Sequence, residues 1–413
     1  MADNNRRVSR RQTLKVAGSA VVGASVAGLA SGEPAEKVEV NVGFDGVRGQ
    51  AAAEKAADSV SRRFGFDAIT AEMPVKAAKA LQNNPNIRYV EKNALMHAID
   101  PIDSTGGPPG SCDPWPDCDK EDDDGGDSSQ SLEWGVDRVD AEVAHANGDT
   151  GAGADVAILD TGIDSDHPDL QANLGKGKAY AKCKGGDCNK NWDDDNDHGT
   201  HCAGIAGADD NTEGVVGVST EATLHAVKVL DSQGSGSFSD IAAGVEWVAD
   251  QGYDVASMSL GGSSGSSALK DAVQYAQEKG VLLVAAAGNS GPCSDCVGYP
   301  AAYSEVVAVS STASDDSLSD FSSTGPEVEL AAPGTDIYSS VASNGGYDTF
   351  SGTSMACPHV SGAAGQLMAD GATNAEARKT LKDNAEDIGL ASNESGAGLL
   401  DVASALGLDS SDD

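Results

Sequence analysis

The stretch Phe350-Ser-Gly-Thr-Ser-Met-Ala-Cys-Pro-His359 reads as a loop turning into a helix. Gly352 loosens the backbone, and Thr353 and Ser354 are residues that favour a helix start. Pro358 is expected in the first helical turn, where backbone N–H groups lack partners anyway. The continuation Val360-Ser-Gly-Ala-Ala-Gly-Gln-Leu-Met368 is small and apolar nearly all round, so the helix is expected to be buried within a larger fold. A hydroxyl at the start of such a helix lies beside unsatisfied N–H groups and the positive end of a dipole. That environment suits a group that attacks a carbonyl and leaves an oxyanion beside it. Alone, the motif is better explained as an ordinary helix cap, so its reading depends on the rest of the chain.

Working upstream, apolar strands alternate with helical runs. Asp155 to Leu159 is a continuous apolar strand ending at Asp160, and Ala222 to Leu230, Val255 to Leu260, Val281 to Ala287 and Val306 to Val309 read as further strands. Phe238 to Gln251 and about Leu269 to Lys279 read as helices. This alternation predicts an α/β fold with a mostly parallel sheet covered on both faces. Functional groups in such sheets gather at the carboxyl ends of strands. Asp160 and Asn289 both stand just past predicted strand ends.

Three stretches carry the chemistry. Ala157-Ile-Leu-Asp-Thr-Gly-Ile-Asp164 places Asp160 at a strand end, and Asp197-His-Gly-Thr-His-Cys-Ala-Gly204 opens a small-residue helix. Ser351-Gly-Thr-Ser-Met-Ala-Cys-Pro358 opens the other. Acyl transfer by a serine needs a base to take its proton and a carboxylate to fix that base's tautomer. The order Asp, His, Ser is one of the known orders for such a triad.

On these motifs, residues 130–407 resemble the subtilisin-like serine proteases, the subtilase family. The resemblance implies a subtilisin-like three-layer fold and a serine endopeptidase acting on proteins or peptides, without catalytic metal or organic cofactor. In that reading Asp160 supports His198, His198 is the general base and then the acid, and Ser354 attacks the peptide carbonyl. Asn289, in Ala285-Ala-Ala-Gly-Asn-Ser290, matches the family's oxyanion-hole amide, helped by the Ser354 N–H. Loss of one such donor costs about 2.7–4 kcal/mol, a figure obtained on a subtilisin itself. The matching cleft segments are Gly234-Ser-Gly236 and Ser259-Leu-Gly261, which would pair a substrate as an added strand. Gly288 and Gly298 resemble the walls of the pocket for the side chain before the cut, which would admit large apolar groups. Phe238 would wall a second pocket. Structural Ca²⁺ is implied at Gln130, Asp169 and Asn211, with carbonyls of Asp209, Glu213 and Val215 completing an oxygen shell. Without the resemblance these are solvated acids. His198, His201 and Cys202 could be read as a metal cluster, but one short set with no second arm is weak for zinc. His201, His167 and His359 are expected to be structural, and Asp164 and Asp197 to be loop or capping carboxylates.

Ahead of this region lie three segments. Residues 1–32 contain Ser9-Arg-Arg-Gln-Thr-Leu-Lys15 and an apolar run from Val16 to Ala30, resembling a twin-arginine export signal, with Thr13 where Phe is more usual. An extracellular location follows, with membrane contact only through that signal. Residues 33–99 read as strand, helix and strand repeated in the order of a ferredoxin-like module. A helix is expected from Ala51 to Phe64. The module is small for independent stability. It resembles the family's propeptide, an intramolecular chaperone and inhibitor, and its end, Tyr89 to Ile99, fits a tail lying in the cleft, with self-cleavage near Ile99–Asp100. Residues 100–129 are a linker with Gly106-Gly-Pro-Pro-Gly110 and then an acidic run. Residues 408–413 form an acidic tail.

Eight cysteines in an exported chain permit disulfides. Cys112/Cys118, Cys183/Cys188 and Cys293/Cys296 suggest local staples, the last a tight one. Cys202 and Cys357, each on a helix that opens with a triad member, are either bonded to each other or two buried thiols. A serine esterase of the Gly-x-Ser-x-Gly kind is disfavoured because Ala356 stands where the second Gly belongs. A non-catalytic binding protein is disfavoured by the complete triad with Asn289.

The net charge of −38, from 27 Lys+Arg against 65 Asp+Glu, excludes nucleic acid as a partner, since phosphates are repelled. Disorder is disfavoured by 39% hydrophobic residues in clear periodicity. A folded monomer with an acidic surface adapted to high salt is expected, resembling the halophilic archaeal subtilases called halolysins. Dense carboxylates repel one another less when salt screens them. The melting temperature is therefore expected to rise as NaCl goes from about 0.1 M to about 1 M, where the screening length falls from about 10 Å to about 3 Å. A flat or falling melting series would count against salt adaptation.

Overall fold

The computed structural model describes residues 36–99, 101, 130–186 and 188–410. The expected export signal, Asp100, linker residues 102–129 with Cys112 and Cys118, and the end of the acidic tail lie outside the described residues.

The first part of the fold comprises β1 (Lys37–Phe44), α1 (Gly46–Ala56), β2 (Ser59–Phe64), β3 (Ala68–Pro74), α2 (Val75–Leu81) and β4 (Ile87–Lys92). Its antiparallel sheet has the order β2-β3-β1-β4, the split β-α-β arrangement expected of a ferredoxin-like unit. Val42, Phe44, Ile69, Met73 and Leu81 form its own small core. One expectation is corrected here. The helix ends at Ala56, and Ser59–Phe64 is an edge strand beside β3 rather than helix. The only apolar residues of that segment, Val60 and Phe64, are four apart, a spacing that fits either period. Pairing with β3 supplies the backbone partners that decide it.

After β5 (Leu95–Ala98) the chain builds α3 (Trp134–Asp137), α4 (Ala141–Asn147), β6 (Asp155–Asp160), β7 (Lys178–Ala179) and α5 (His198–Gly207). Next come β8 (Thr223–Lys228), β9 (Ser235–Ser237), α6 (Phe238–Gln251), β10 (Val255–Met258), β11 (Leu260–Gly261) and α7 (Ser267–Glu278). Strands β12 (Leu282–Ala286), β13 (Val306–Thr312) and β14 (Val328–Pro333) follow, then the hairpin β15 (Ile337–Val341) and β16 (Gly346–Phe350). Helices α8 (Thr353–Ala369), α9 (Asn374–Asp383), α10 (Ser392–Ser395) and α11 (Val402–Leu406) close the fold.

The central sheet is seven-stranded and parallel, in the order β14-β13-β12-β10-β6-β8-β7. Its strands are apolar because both faces are covered. Ile158, Val284 and Val307 face α5 and α8, whereas Leu159, Leu283 and Ala308 face α6 and α7. The result is the three-layer subtilisin-like α/β fold. Small residues let the inner helices approach. A Cβ on Gly362 would lie 2.8 Å from the Ala206 carbonyl oxygen, and one on Gly204 would lie 2.4 Å from the hydroxyls of Ser339 and Ser340.

Both parts fall within one compact unit. The ferredoxin-like part lies on the starts of α6 and α7. Glu91 accepts hydrogen bonds from Ser266 Oγ (2.6 Å), Ser267 N (2.8 Å) and Ala268 N (2.9 Å), and Asn93 Oδ1 accepts from Ser239 N (3.0 Å). Acceptors at two helix N-termini meet unsatisfied N–H groups and the positive ends of dipoles. Arg62 pairs with Asp240 at 2.7 Å, and Arg88 with Asp271 at 2.6 Å.

Candidate active site

Asp160 ends β6 and His198 begins α5. His198 Nδ1 lies 2.8 Å from Asp160 Oδ1, with Asp160 fully buried and His198 nearly so. The same oxygen accepts from the Thr161 N–H at 2.7 Å. Thr161 Oγ1 in turn accepts from the Gly199 N–H at 2.9 Å. The approach is close enough that a Cβ on Gly199 would lie 2.2 Å from the Gly162 carbonyl oxygen, and Gly162 itself sits at φ +122°. Asp194 was not singled out from sequence, yet its buried carboxylate accepts from the N–H (2.9 Å) and hydroxyl (2.7 Å) of Thr200. It caps the helix that carries the imidazole. Asp197 occupies the N-cap position, but its carboxylate binds Ser343 instead. Burial and the neighbouring Asp166 push Asp164 up to about 7.

Ser354 is the second residue of α8 and is fully buried. Its Oγ donates to the Ile99 carbonyl oxygen at 2.9 Å. Asn289 lies three residues past the end of β12. Its Oδ1 accepts from Thr353 N and Thr353 Oγ1, both at 2.9 Å. With the oxygen so held, Nδ2 lies 3.0 Å from where a Cβ on Gly352 would stand, and Ser354 N lies 3.7 Å from the same point. Both N–H groups therefore flank a space that only glycine at 352 leaves open.

The residues matched to the substrate cleft form one slot, and the chain itself fills it. β5 pairs antiparallel with β9 on one side (Met96 opposite Gly236, His97 opposite Ser235) and with β11 on the other (Ala98 opposite Leu260, His97 opposite Gly261). Ala98 N donates to Gly234 O at 2.7 Å, and Ile99 N to Ser259 O at 3.2 Å. The Ile99 side chain lies 3.2 Å from where a Cβ on Gly261 would stand. Gly288, at φ +117°, and Gly298 lie side by side, with Gly298 N bonded to Ala287 O. Phe238 packs in the same cluster as the buried Met96.

The expected cation ligands also come together. Asp169 is fully buried; its Oδ2 accepts from Val215 N at 2.9 Å and its Oδ1 from Asn211 Nδ2 at 3.4 Å. The Gln130 amide meets the carbonyl oxygens of Asp209 (2.7 Å) and Val215 (3.1 Å). Turning that amide over would present Oε1 to the same space. Glu213 lies in the loop, its N–H bonded to Asn211 Oδ1 at 2.7 Å. A buried carboxylate with amide and backbone oxygens is a donor set that fits a hard cation.

Cys183–Cys188 and Cys293–Cys296 are disulfides. Cys202 and Cys357 are free, buried thiols, pushed upward in pKa mainly by burial. The position of Pro358 is a correction. It lies inside α8, as the sixth residue of the helix, not in the first turn. The carbonyl it deprives of a donor is served by side chains instead.

Residues 151–398 match the subtilase family. The chain belongs to that family. Subtilisin E of Bacillus subtilis (strain 168) is 35% identical over 388 residues, covering 91% of this chain and 92% of its own length. Subtilisin DY of Bacillus licheniformis is 42% identical over 285 residues, covering 67% of this chain and 99% of its own. A thermostable alkaline protease of Halalkalibacterium halodurans is 37% identical over 347 residues, covering 81% of this chain and 85% of its own. This subtilase is a serine endopeptidase, and the buried Asp160–His198 pair fits its triad. Among its described residues no helix is long and apolar enough to cross a membrane.

The remaining histidines act as fixed hydrogen-bonding groups. His201 Nε2 meets the carbonyls of Ile337 and Asp348, both at 3.1 Å, and the ring stacks on Phe350. His359 Nδ1 meets the Met355 carbonyl at 2.8 Å, and His167 Nε2 the Gly346 carbonyl at 3.0 Å. Burial holds His201 down to about 3 and His359 to about 4. The unfolded chain protonates its histidines near pH 6.5, so between about pH 6.5 and those lower values it binds more protons than the folded one. Stability contributed by the neutral rings is thus full above about pH 6.5 and falls as pH drops toward about 4. Urea midpoints of an inactive Ser354→Ala protein are expected to fall over that window, and His201→Gln to make the fall shallower. Equal slopes would mean His201 does not contribute.

Proposed function

We propose that the protein is an exported, salt-adapted, halolysin-like endopeptidase made as a self-processing precursor. Residues 33–99 act as inhibitory propeptide, 100–129 as spacer and 130–407 as the mature enzyme. The observation that carries this reading is the Ile99 carbonyl oxygen, 2.9 Å from Ser354 Oγ at the end of a segment docked as a strand on both sides. Asp160 holds the Nδ1 side of His198, so Nε2 takes the proton as Ser354 attacks. Asn289 Nδ2 and Ser354 N receive the developing oxyanion. His198 then passes the proton to the leaving amine, and water releases the acyl group. Foreign substrates lie where Leu95–Ile99 lies, with an apolar side chain in the place of Ile99.

Export is supported by the paired arginines at Arg10 and Arg11, and salt adaptation by the net charge of −38. Asp169, Asn211, Gln130 and the carbonyls of the 209–215 loop would hold a structural Ca²⁺, whose charge would offset the buried Asp169 carboxylate.

Mass spectrometry of the expressed chain is expected to find a new N-terminus just after Ile99, whereas Ser354→Ala persists as intact precursor. The same cut in that variant would mean that another protease makes it. Chelation with EDTA is expected to lower the melting temperature, and Asp169→Asn to lower it and abolish the response. A melting temperature indifferent to EDTA would remove calcium from the account.

A further inference from the structure

We infer that the Ser259 side chain is a positioning residue for the nucleophile, seconded by Cys202, and that both replace a helix hydrogen bond that Pro358 removes. The inference rests on Ser354 being the nucleophile. In an α-helix the carbonyl of residue i accepts from the N–H of residue i+4. For Ser354 that residue is Pro358, which has no N–H to give. The carbonyl is fully enclosed and still paired. Ser259 Oγ donates to it at 2.8 Å, and Cys202 Sγ at 3.4 Å.

These donors come from the two other elements of the site. Ser259 joins β10 to β11; its own carbonyl receives the Ile99 N–H and lies 3.3 Å from Ser354 Oγ. Cys202 is on α5, one turn past His198, and its sulfur lies within 4.8 Å of the facing Asp160 and His198 atoms. Cys357 Sγ, by contrast, lies 3.6 Å from the hydroxyl of Ser257 on β10. The two sulfurs are not bonded to each other, and only Cys202 reaches the Ser354 carbonyl. Fixing the Ser354 carbonyl fixes the ψ of Ser354, and with it the direction of Oγ relative to the base and to the strand in the cleft. A small displacement there lowers the rate of attack without weakening ground-state binding.

The test is a double-mutant cycle in the full chain, reading kcat and KM on a peptide anilide with an apolar residue before the cut. Ser259→Ala is expected to lower kcat about tenfold with KM little changed. Pro358→Ala restores an N–H aimed at the Ser354 carbonyl. In that background Ser259→Ala is expected to cost less than about threefold. An equal loss in both backgrounds, a rise in KM with kcat unchanged, or no effect would each overturn the inference. If Ser259→Ala does not accumulate as folded protein, Ser259→Cys, a weaker donor, enters the same cycle with a smaller loss that Pro358→Ala again removes. Ser354→Ala separates the two readings. Activity in that variant sinks the nucleophile assignment itself, whereas an inactive Ser354→Ala with an additive cycle sinks only the role of Ser259.

Discussion

The 2.8 Å contact between Asp160 and His198, both buried, is the constraint on which the site depends. A carboxylate out of water is costly unless it is paired and hydrogen-bonded. Here the pairing requires the end of β6 and the first turn of α5 to touch backbone to backbone. Glycine at 162 and 199 makes room for that touch, and Thr161 and Asp194 supply the hydrogen bonds that hold it. The helix that carries His198 is capped not by its N-cap residue but by a carboxylate three positions further upstream. A change at Asp194 would therefore reach the imidazole without touching it.

The same economy of backbone contact governs the cleft. β9 and β11 are short strands whose outer groups would otherwise be unpaired, and β5 satisfies both at once. The ferredoxin-like part has a core of only about ten side chains, and it leans on the larger layer through Glu91, Asn93, Arg62 and Arg88. Two of these four are cations set against aspartates of a strongly acidic chain. The other two occupy helix N-termini, where acceptors are favoured whatever the surrounding charge. Docking and cleft filling are thus one continuous contact running from β4 to Ile99.

Much of this was legible in the chain, for identifiable reasons. α6 has the boundaries read from its periodicity because Phe238–Gln251 follows one period cleanly. Asp160 could be placed at a strand end and Asn289 past one because apolar runs stop abruptly before them. Ser59–Phe64 fits a helix as well as a strand by pattern, because its two apolar residues four apart satisfy both periods, and only β3 chooses between them. The sequence alone favours Pro358 in a first turn because a proline inside a helix is tolerable only if something else serves the carbonyl one turn back. Nothing local reveals that Ser259 and Cys202 do so. A proline five residues past a predicted helix start was nonetheless a signal that such partners had to exist.

By itself, then, the sequence determined the α/β class, the order of the chemistry-bearing motifs and the residues at strand ends, because these follow from periodicity and from side chains adjacent along the chain. The tertiary structure alone decided which groups meet across long separations. It brought Ser259 and Cys202 to the Ser354 carbonyl, Asp194 to Thr200, and Ile99 to Ser354. It also left Cys202 and Cys357 as separate buried thiols. Such meetings depend on how closely two helices and a sheet can pack, and that is a property of the whole assembled core rather than of any stretch within it.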